Sequence, residues 1–117
     1  MINGINATVS GLQALEKKME STANNTANLE TDEFKKTRVT MEESEPAGVK
    51  VTIQKINTPG HQVYEETNEG LTLVEKSNVD LAKEMTDLTV TQRSWEAMTK
   101  TIQTQDEMLG TILDIVT

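Results

Sequence analysis

Residues 77–117, SNVDLAKEMTDLTVTQRSWEAMTKTIQTQDEMLGTILDIVT, hold no proline and a single glycine, Gly110. Leu81, Met85, Leu88, Trp95, Ile102, Leu109, Leu113 and Val116 recur there at steps of three and four, with Gln92, Thr99 and Asp106 filling the polar places of the repeat. That period is helical. Ser77 and Asp80 supply an S-x-x-D start signal, a hydroxyl to cap an orphan N–H and a carboxylate at the positive helix end. The spacing predicts one helix from about Asn78 to the last residue, a rod on the order of 55 to 60 Å long. A globular core of this chain's size does not bury such a rod along its whole length, so the helix needs a partner helix or neighbouring subunits. Val90, Ala97, Met98, Met108, Ile112 and Ile115 make flanking faces apolar as well, which calls for several neighbours. An amphipathic helix on an ordinary core, anchored by Trp95, is the plainer alternative from the pattern alone.

Composition narrows the rest. The chain of 117 residues reads as one structural unit with one Trp, one Tyr and one Phe, little bulky material for a compact interior. Its net charge of −8 is uneven: residues 1–40 balance five basic against five acidic groups, while 41–76 and 77–117 each hold three against seven. With no basic patch, nucleic acid is not an expected partner. No cysteine is present, which removes disulfides, thiolate metal sites and cysteine nucleophiles. The opening MINGINATVSGLQ lacks the basic and apolar regions of a secretory signal, and no run approaches the roughly 18 apolar residues of a membrane helix, so no membrane insertion is expected.

A second pattern of threes and fours runs from about Ile5 to Leu29 through Thr8, Leu12, Leu15, Met19, Thr22 and Thr26, apolar first and threonine later. It predicts a helix that frays at Gly4 and Gly11, each worth up to about 1 kcal/mol against alanine. Asn24, Asn25 and Asn28 suit an interface or a helix end better than a helix interior. They do not open a calcium loop, since the sixth and twelfth places fall on Leu29 and Lys35. Beyond Thr31, FKKTRVTM suggests a strand; Val49, Val51 and Ile53 alternate with Lys50, Thr52 and Gln54; and Thr58-Pro59-Gly60 and Asn68-Glu69-Gly70 are turns between further extended pieces. The expected organisation is an N-terminal helical segment, 1–30, a short β-rich insert, 31–76, and a C-terminal helical segment, 77–117. His61, the sole histidine, sits in a turn with no second ligand in the pattern. No catalytic, cofactor or metal motif is visible.

Both ends carry a resemblance. Asn24, Asn25, Ala27, Asn28, Thr31, Phe34, Lys35 and Lys36 resemble the N-terminal NNxAN and T-x-x-F-K-K/R signature of bacterial flagellar rod and hook proteins. Ser77, Asn78, Val79, Asp80, Glu84, Met85, Gln92, Arg93 and the closing Met108-Leu109 resemble that family's C-terminal signature. One departure is Asp32-Glu33, where many members have Pro-Gly before the phenylalanine. The resemblance implies a mainly α protein with a small β insert, its terminal helices paired as an antiparallel coiled coil. It also implies a structural role in motility: export through the flagellar type III apparatus without a cleaved signal peptide, then self-assembly with itself and other rod subunits into the periplasm-spanning rod of the basal body. The short middle is most similar to that of a proximal component of the rod protein C kind. Leu12, Leu15, Met19, Met85, Leu88, Trp95, Ile102, Leu109 and Leu113 are then the candidate packing residues, and Asn24, Asn25, Asn28, Asn78, Gln92 and Arg93 the candidates for polar registry. The alternatives are a secreted helical hairpin of the type VII kind, disfavoured because Trp95 is followed by Glu96-Ala97 rather than a turn, and a coiled-coil adaptor or export chaperone. An enzyme is the least expected class.

Overall fold

A computed structural model describes residues 2–116 of the chain. Two long helices, α1 (Ile2–Ala27) and α2 (Leu81–Val116), enclose in sequence four strands: β1 (Thr37–Glu43), β2 (Val49–Lys55), β3 (Gln62–Thr67) and β4 (Gly70–Glu75). The molecule is 79 Å long and 24 by 19 Å across.

α1 ends where the asparagines begin to bond their own turn: the Asn28 backbone N–H donates to the carbonyls of Asn24 and Asn25, each at 3.2 Å, and its side chain adds a bond to the Asn24 carbonyl at 2.9 Å. These bonds occupy carbonyls that an α-helix leaves open at its C-terminus. The start of α2 lies later than the sequence reading places it. Asp80, not Ser77, is the cap, its Oδ1 accepting from the N–H groups of Ala82 at 3.1 Å and Lys83 at 3.4 Å. Ser77 instead accepts from Val79 at 3.2 Å, and Asn78 donates its backbone N–H to the Phe34 carbonyl at 3.3 Å, so residues 77–79 are tied to the middle of the chain before the helix can begin.

The helices pack antiparallel. Gly4 and Thr8 meet Gln105, Gly11 meets Met98, and Asn25 meets Glu84, so each advance along α1 is matched by an equal retreat along α2. Glu84, Thr91, Met98 and Gln105 stand seven apart on α2; three of them meet α1 directly, and Thr91 is only 1% exposed. Opposite them lie small or polar residues, and the buried stripe of α1 is Thr8, Gly11, Ala14, Leu15, Thr22 and Asn25. Among the described residues, Ala14 and Leu15 alone are both apolar and fully buried. Threonines are tolerated in such a seam because their hydroxyls return to the preceding turn: Thr8 to the Gly4 carbonyl at 2.9 Å, Thr91 to that of Asp87 at 2.7 Å, leaving methyl groups to pack.

β1 and β2 form an antiparallel hairpin whose register pairs Val39 with Ile53 and Met41 with Val51. The hairpin lies against α1, fixed at one end by Asn25 and at the other by Ser10, whose Oγ accepts from the Val49 N–H at 3.0 Å. β3 and β4 form a second antiparallel hairpin that packs on neither helix.

Candidate assembly surface

The segment joining α1 to the first hairpin is gripped from two sides by asparagine amides. Asn25, 2% exposed, accepts at Oδ1 from the Thr37 N–H at 3.0 Å and donates from Nδ2 to the Thr37 carbonyl at 2.9 Å. A primary amide thereby pairs with a strand residue as a neighbouring strand would, and the same Nδ2 reaches Glu84 Oε1 at 3.4 Å. On the other side Asn78 accepts at Oδ1 from the Lys36 N–H at 2.7 Å and donates to the carbonyls of Ile56 at 2.8 Å and Thr58 at 2.9 Å. Residues 34–37 are thus locked between the end of α1 and the lead-in to α2. Buried backbone groups that would otherwise cost about 1–3 kcal/mol each are satisfied this way.

A cluster of charges fastens the second hairpin to the same junction. Lys35 pairs with Glu75, and Lys76 bridges Asp32, at 2.7 Å, and Glu65. The Lys35 ammonium, then the Gly60 N–H at 3.0 Å, hold the Glu75 carboxyl below its ordinary 4.5. Hydrogen bonds to Asp32 and then Glu65 push Lys76 up to about 12. Glu33 adopts a left-handed φ of 59° and donates its N–H to the Glu75 carbonyl at 2.9 Å, so the Asp32-Glu33 pair makes the turn before Phe34. Gly60 passes so close to this strand that a Cβ would fall 1.8 Å from the Lys76 carbonyl oxygen.

The candidate packing residues take up a different position from this polar seam. Leu15 is buried at 6% exposure; Leu12, Met19, Leu88, Ile102 and Leu109 are half-buried; Met85, Trp95 and Leu113 are exposed, Met85 at 54%. The stripe through residues 88, 95, 102 and 109 is offset by four residues from the inward line of 84, 91, 98 and 105, about 40° around the helix. It therefore borders the seam on one flank, with exposed Leu81 on the same line and Met85 outside it; exposed Val90 and Met108 lie on the other flank, and Ile112 continues the inward line beyond Gln105. Among the polar candidates, Asn25 and Asn78 form the grip described above and Asn24 bonds Asn28. Gln92 and Arg93 are exposed and turn to Glu96, at 3.5 and 3.3 Å.

The sequence reading did not single out Gly11, Thr91 and Gln105 as contact residues. Their signal was the seven-residue spacing of Glu84, Thr91, Met98 and Gln105 opposite Gly4, Thr8 and Gly11, which becomes legible once the antiparallel register is known. His61 is exposed, and its backbone carbonyl accepts from the Lys76 N–H at 2.8 Å. Among the described residues no group of acidic, histidine or cysteine side chains is placed to hold a metal, and no helix is long and apolar enough to cross a membrane. What the geometry offers is surface: a mostly polar seam between two helices, bordered by uncovered apolar side chains.

Residues 72–115 match the family described as flagellar basal body rod FlgEFG protein, C-terminal. Over 42 residues the chain is 50% identical to the flagellar hook protein FlgE of Treponema pallidum and 43% identical to that of Escherichia coli; each match takes in 36% of this chain, but 9% and 10% of those proteins. Over 37 residues it is 51% identical to the flagellar hook protein FlgE of Borreliella burgdorferi, covering 32% of this chain and 8% of that protein. The matched stretch thus spans about a tenth of the curated relatives, and the similarity is to the flagellar rod and hook family.

Proposed function

We propose that this chain is a structural subunit of the bacterial flagellar axis, exported through the type III apparatus and assembled with copies of itself and other rod subunits into a tubular drive shaft. The observation that carries the proposal is the exposed apolar surface of α2, which flanks the seam on both sides. Leu81, Met85, Val90, Trp95, Met108 and Ile112 stay exposed along a helix whose seam with α1 is mostly polar, a layout that gains its apolar burial from neighbouring subunits. The C-terminal match to rod and hook proteins falls on this same helix. Packing of the α1–α2 pair as an antiparallel coiled coil among neighbours would give the shaft its stiffness, since close-packed interiors resist deformation. The short stretch between the helices supports a proximal rod component of the rod protein C kind. The likeness of residues 72–115 to the FlgEFG group favours a second reading, a distal rod or hook-type subunit.

The test is amide hydrogen exchange across a concentration series, with sedimentation reporting association. Fast exchange at the start of α1 and over residues 106–116 in the monomer, with the seam around Ala14, Thr22 and Asn25 protected, changing to protection of those ends on association, is the expected result. Full protection of both helices in a dilute monomer would sink the assembly mechanism and favour a self-sufficient hairpin or adaptor.

A further inference from the structure

Between α1, α2 and the root of β1 lies a groove of about 210 Å³ whose walls include Lys18, Lys36, Arg38 and Lys83. In a chain of net charge −8 this is an unusual concentration of positive charge. The ion pairs of the described residues use Lys17, Lys35, Lys76 and Arg93, and none reaches the four groove cations. Two carboxylates also line the groove, Glu84 and Asp87, but Glu84 is buried and accepts from Asn25. Four cations facing two acids leave the groove positive, and within the folded chain that excess stays uncompensated.

The opposite charge stands at the far end of the same hairpin. Glu42, Glu43 and Glu45 crowd the turn between β1 and β2, all exposed and none in an ion pair; exposed Lys50, opposite Glu42 in the register, offsets one of the three. The turn is closed by the Ser44 N–H on the Gly48 carbonyl at 3.0 Å and pinned to α1 at Ser10. It does not reach its own groove, because both are fixed along β1: Arg38 of the groove and Glu42 of the tip are four strand residues, about 13 Å, apart. Seven strand residues reach about 23 Å at ~3.3 Å each. The parallel measure along α1, from Ser10 at the tip to Asn25 at the root, is about 22 Å at 1.5 Å per residue.

We infer that the groove is a receptor for the acidic hairpin tip of a second copy of this chain, displaced by about one hairpin length along the long axis, about 22 Å. Groove and tip lie at opposite ends of one element, so the contact is head-to-tail: each copy donates its tip to one neighbour and accepts that of another. Such heterologous contacts propagate into a filament when the rotation between copies does not close a ring, and the axial displacement of each copy along the long axis prevents that closure. Opposed charges of this kind set orientation and suppress wrong registers more than they add raw affinity, a role distinct from the exposed apolar surface of α2. The inference rests on the reading of the chain as a self-assembling subunit.

The experiment uses two charge-reversed full chains, Lys36→Glu/Arg38→Glu in the groove and Glu42→Lys/Glu43→Lys in the tip. Each is checked for native helix content by circular dichroism and then followed by sedimentation velocity alone and as an equimolar mixture. Alone, each variant sets like charge against like, and its association constant should fall at least tenfold below wild type. Mixed, the negative groove of one meets the positive tip of the other, and the positive groove meets the negative tip, so association should return. Both variants remain net acidic, so overall attraction cannot produce that return. Wild-type association in both separate variants, or loss in both without recovery on mixing, overturns the groove contact while leaving assembly intact. A wild-type chain that stays monomeric throughout the concentration series overturns both.

Discussion

Gly11 of α1 and Met98 of α2 meet across the seam: a Cβ on Gly11 would stand 2.5 Å from the Met98 Cε and 3.1 Å from its Sδ. The obstacle is the free end of a flexible side chain, so the size of the added group decides the cost. Gly11→Ala gains up to about 1 kcal/mol of helix propensity and asks Met98 only to turn aside, so it should be near neutral. Gly11→Val adds a branched group that Met98 cannot clear and should destabilise by about 1–3 kcal/mol. Adding Met98→Ala should recover part of that loss, a coupling that urea unfolding of the four-member cycle would read directly.

Asn25→Ala should be the costliest single change in the seam. It strips the Thr37 N–H of its partner and leaves the Thr37 carbonyl only the longer bond from the Ser21 hydroxyl at 3.3 Å, at about 1–3 kcal/mol. Asn25→Asp keeps the acceptor, loses the donor and sets a carboxylate beside Glu84, so it should destabilise too. Glu84→Gln in that background should restore stability in part, and no recovery would show that Glu84 is not the neighbour that matters.

Gly60→Ala places a methyl group where the Lys76 carbonyl already sits. The crossing of residues 56–61 over the end of β4 must open, releasing the Lys76 N–H from the His61 carbonyl and the Glu33 N–H from that of Glu75. Hydrogen exchange at Lys76 and Glu33 should speed up by at least tenfold, with the α1–α2 seam unchanged.

Lys76 gives the fold an alkaline limit. Its folded value, about 12, lies above the ordinary 10.5. The contribution of the ammonium is therefore complete below pH 10.5 and is lost as the pH climbs through about 12. Glu75 acts at the other extreme, stabilising above its ordinary 4.5 and losing that effect as acid carries the pH through its lower folded value. Urea midpoints should decline between about pH 10 and about pH 12 in the wild type and decline less in Lys76→Gln.

Leu109→Asp puts a charge on the half-buried line that borders the seam. The variant should still be exported into culture medium but fail to enter assembled rods. Wild-type incorporation would remove Leu109 from the contact surface.

Both helices were legible because a 3.6-residue period survives over tens of residues, and the first hairpin because Val49, Val51 and Ile53 alternate with polar neighbours. The α2 cap moved by three residues because Asn78 bonds the distant carbonyls of Ile56 and Thr58, partners that local sequence does not reveal. The seam was harder to see for a related reason. Glycine and threonine in α1 read as weaknesses of an isolated helix, whereas against α2 they are what allows close approach and hydroxyl back-bonding. Asn25 was recognisable as a residue unsuited to a helix interior; that its amide would complete Thr37 as a strand partner follows only from the fold.

A seam of threonine, glycine and asparagine also leaves a calorimetric mark. Heat capacity rises on unfolding chiefly because apolar surface becomes wet, typically by about 12–15 cal/mol/K per residue. With Ala14 and Leu15 the only apolar side chains fully buried among the described residues, the isolated chain should fall well below that range. Its stability curve is then shallow, broad in temperature and low at its maximum, and the missing heat capacity should surface as a negative change when subunits associate and the exposed apolar surface of α2 leaves water.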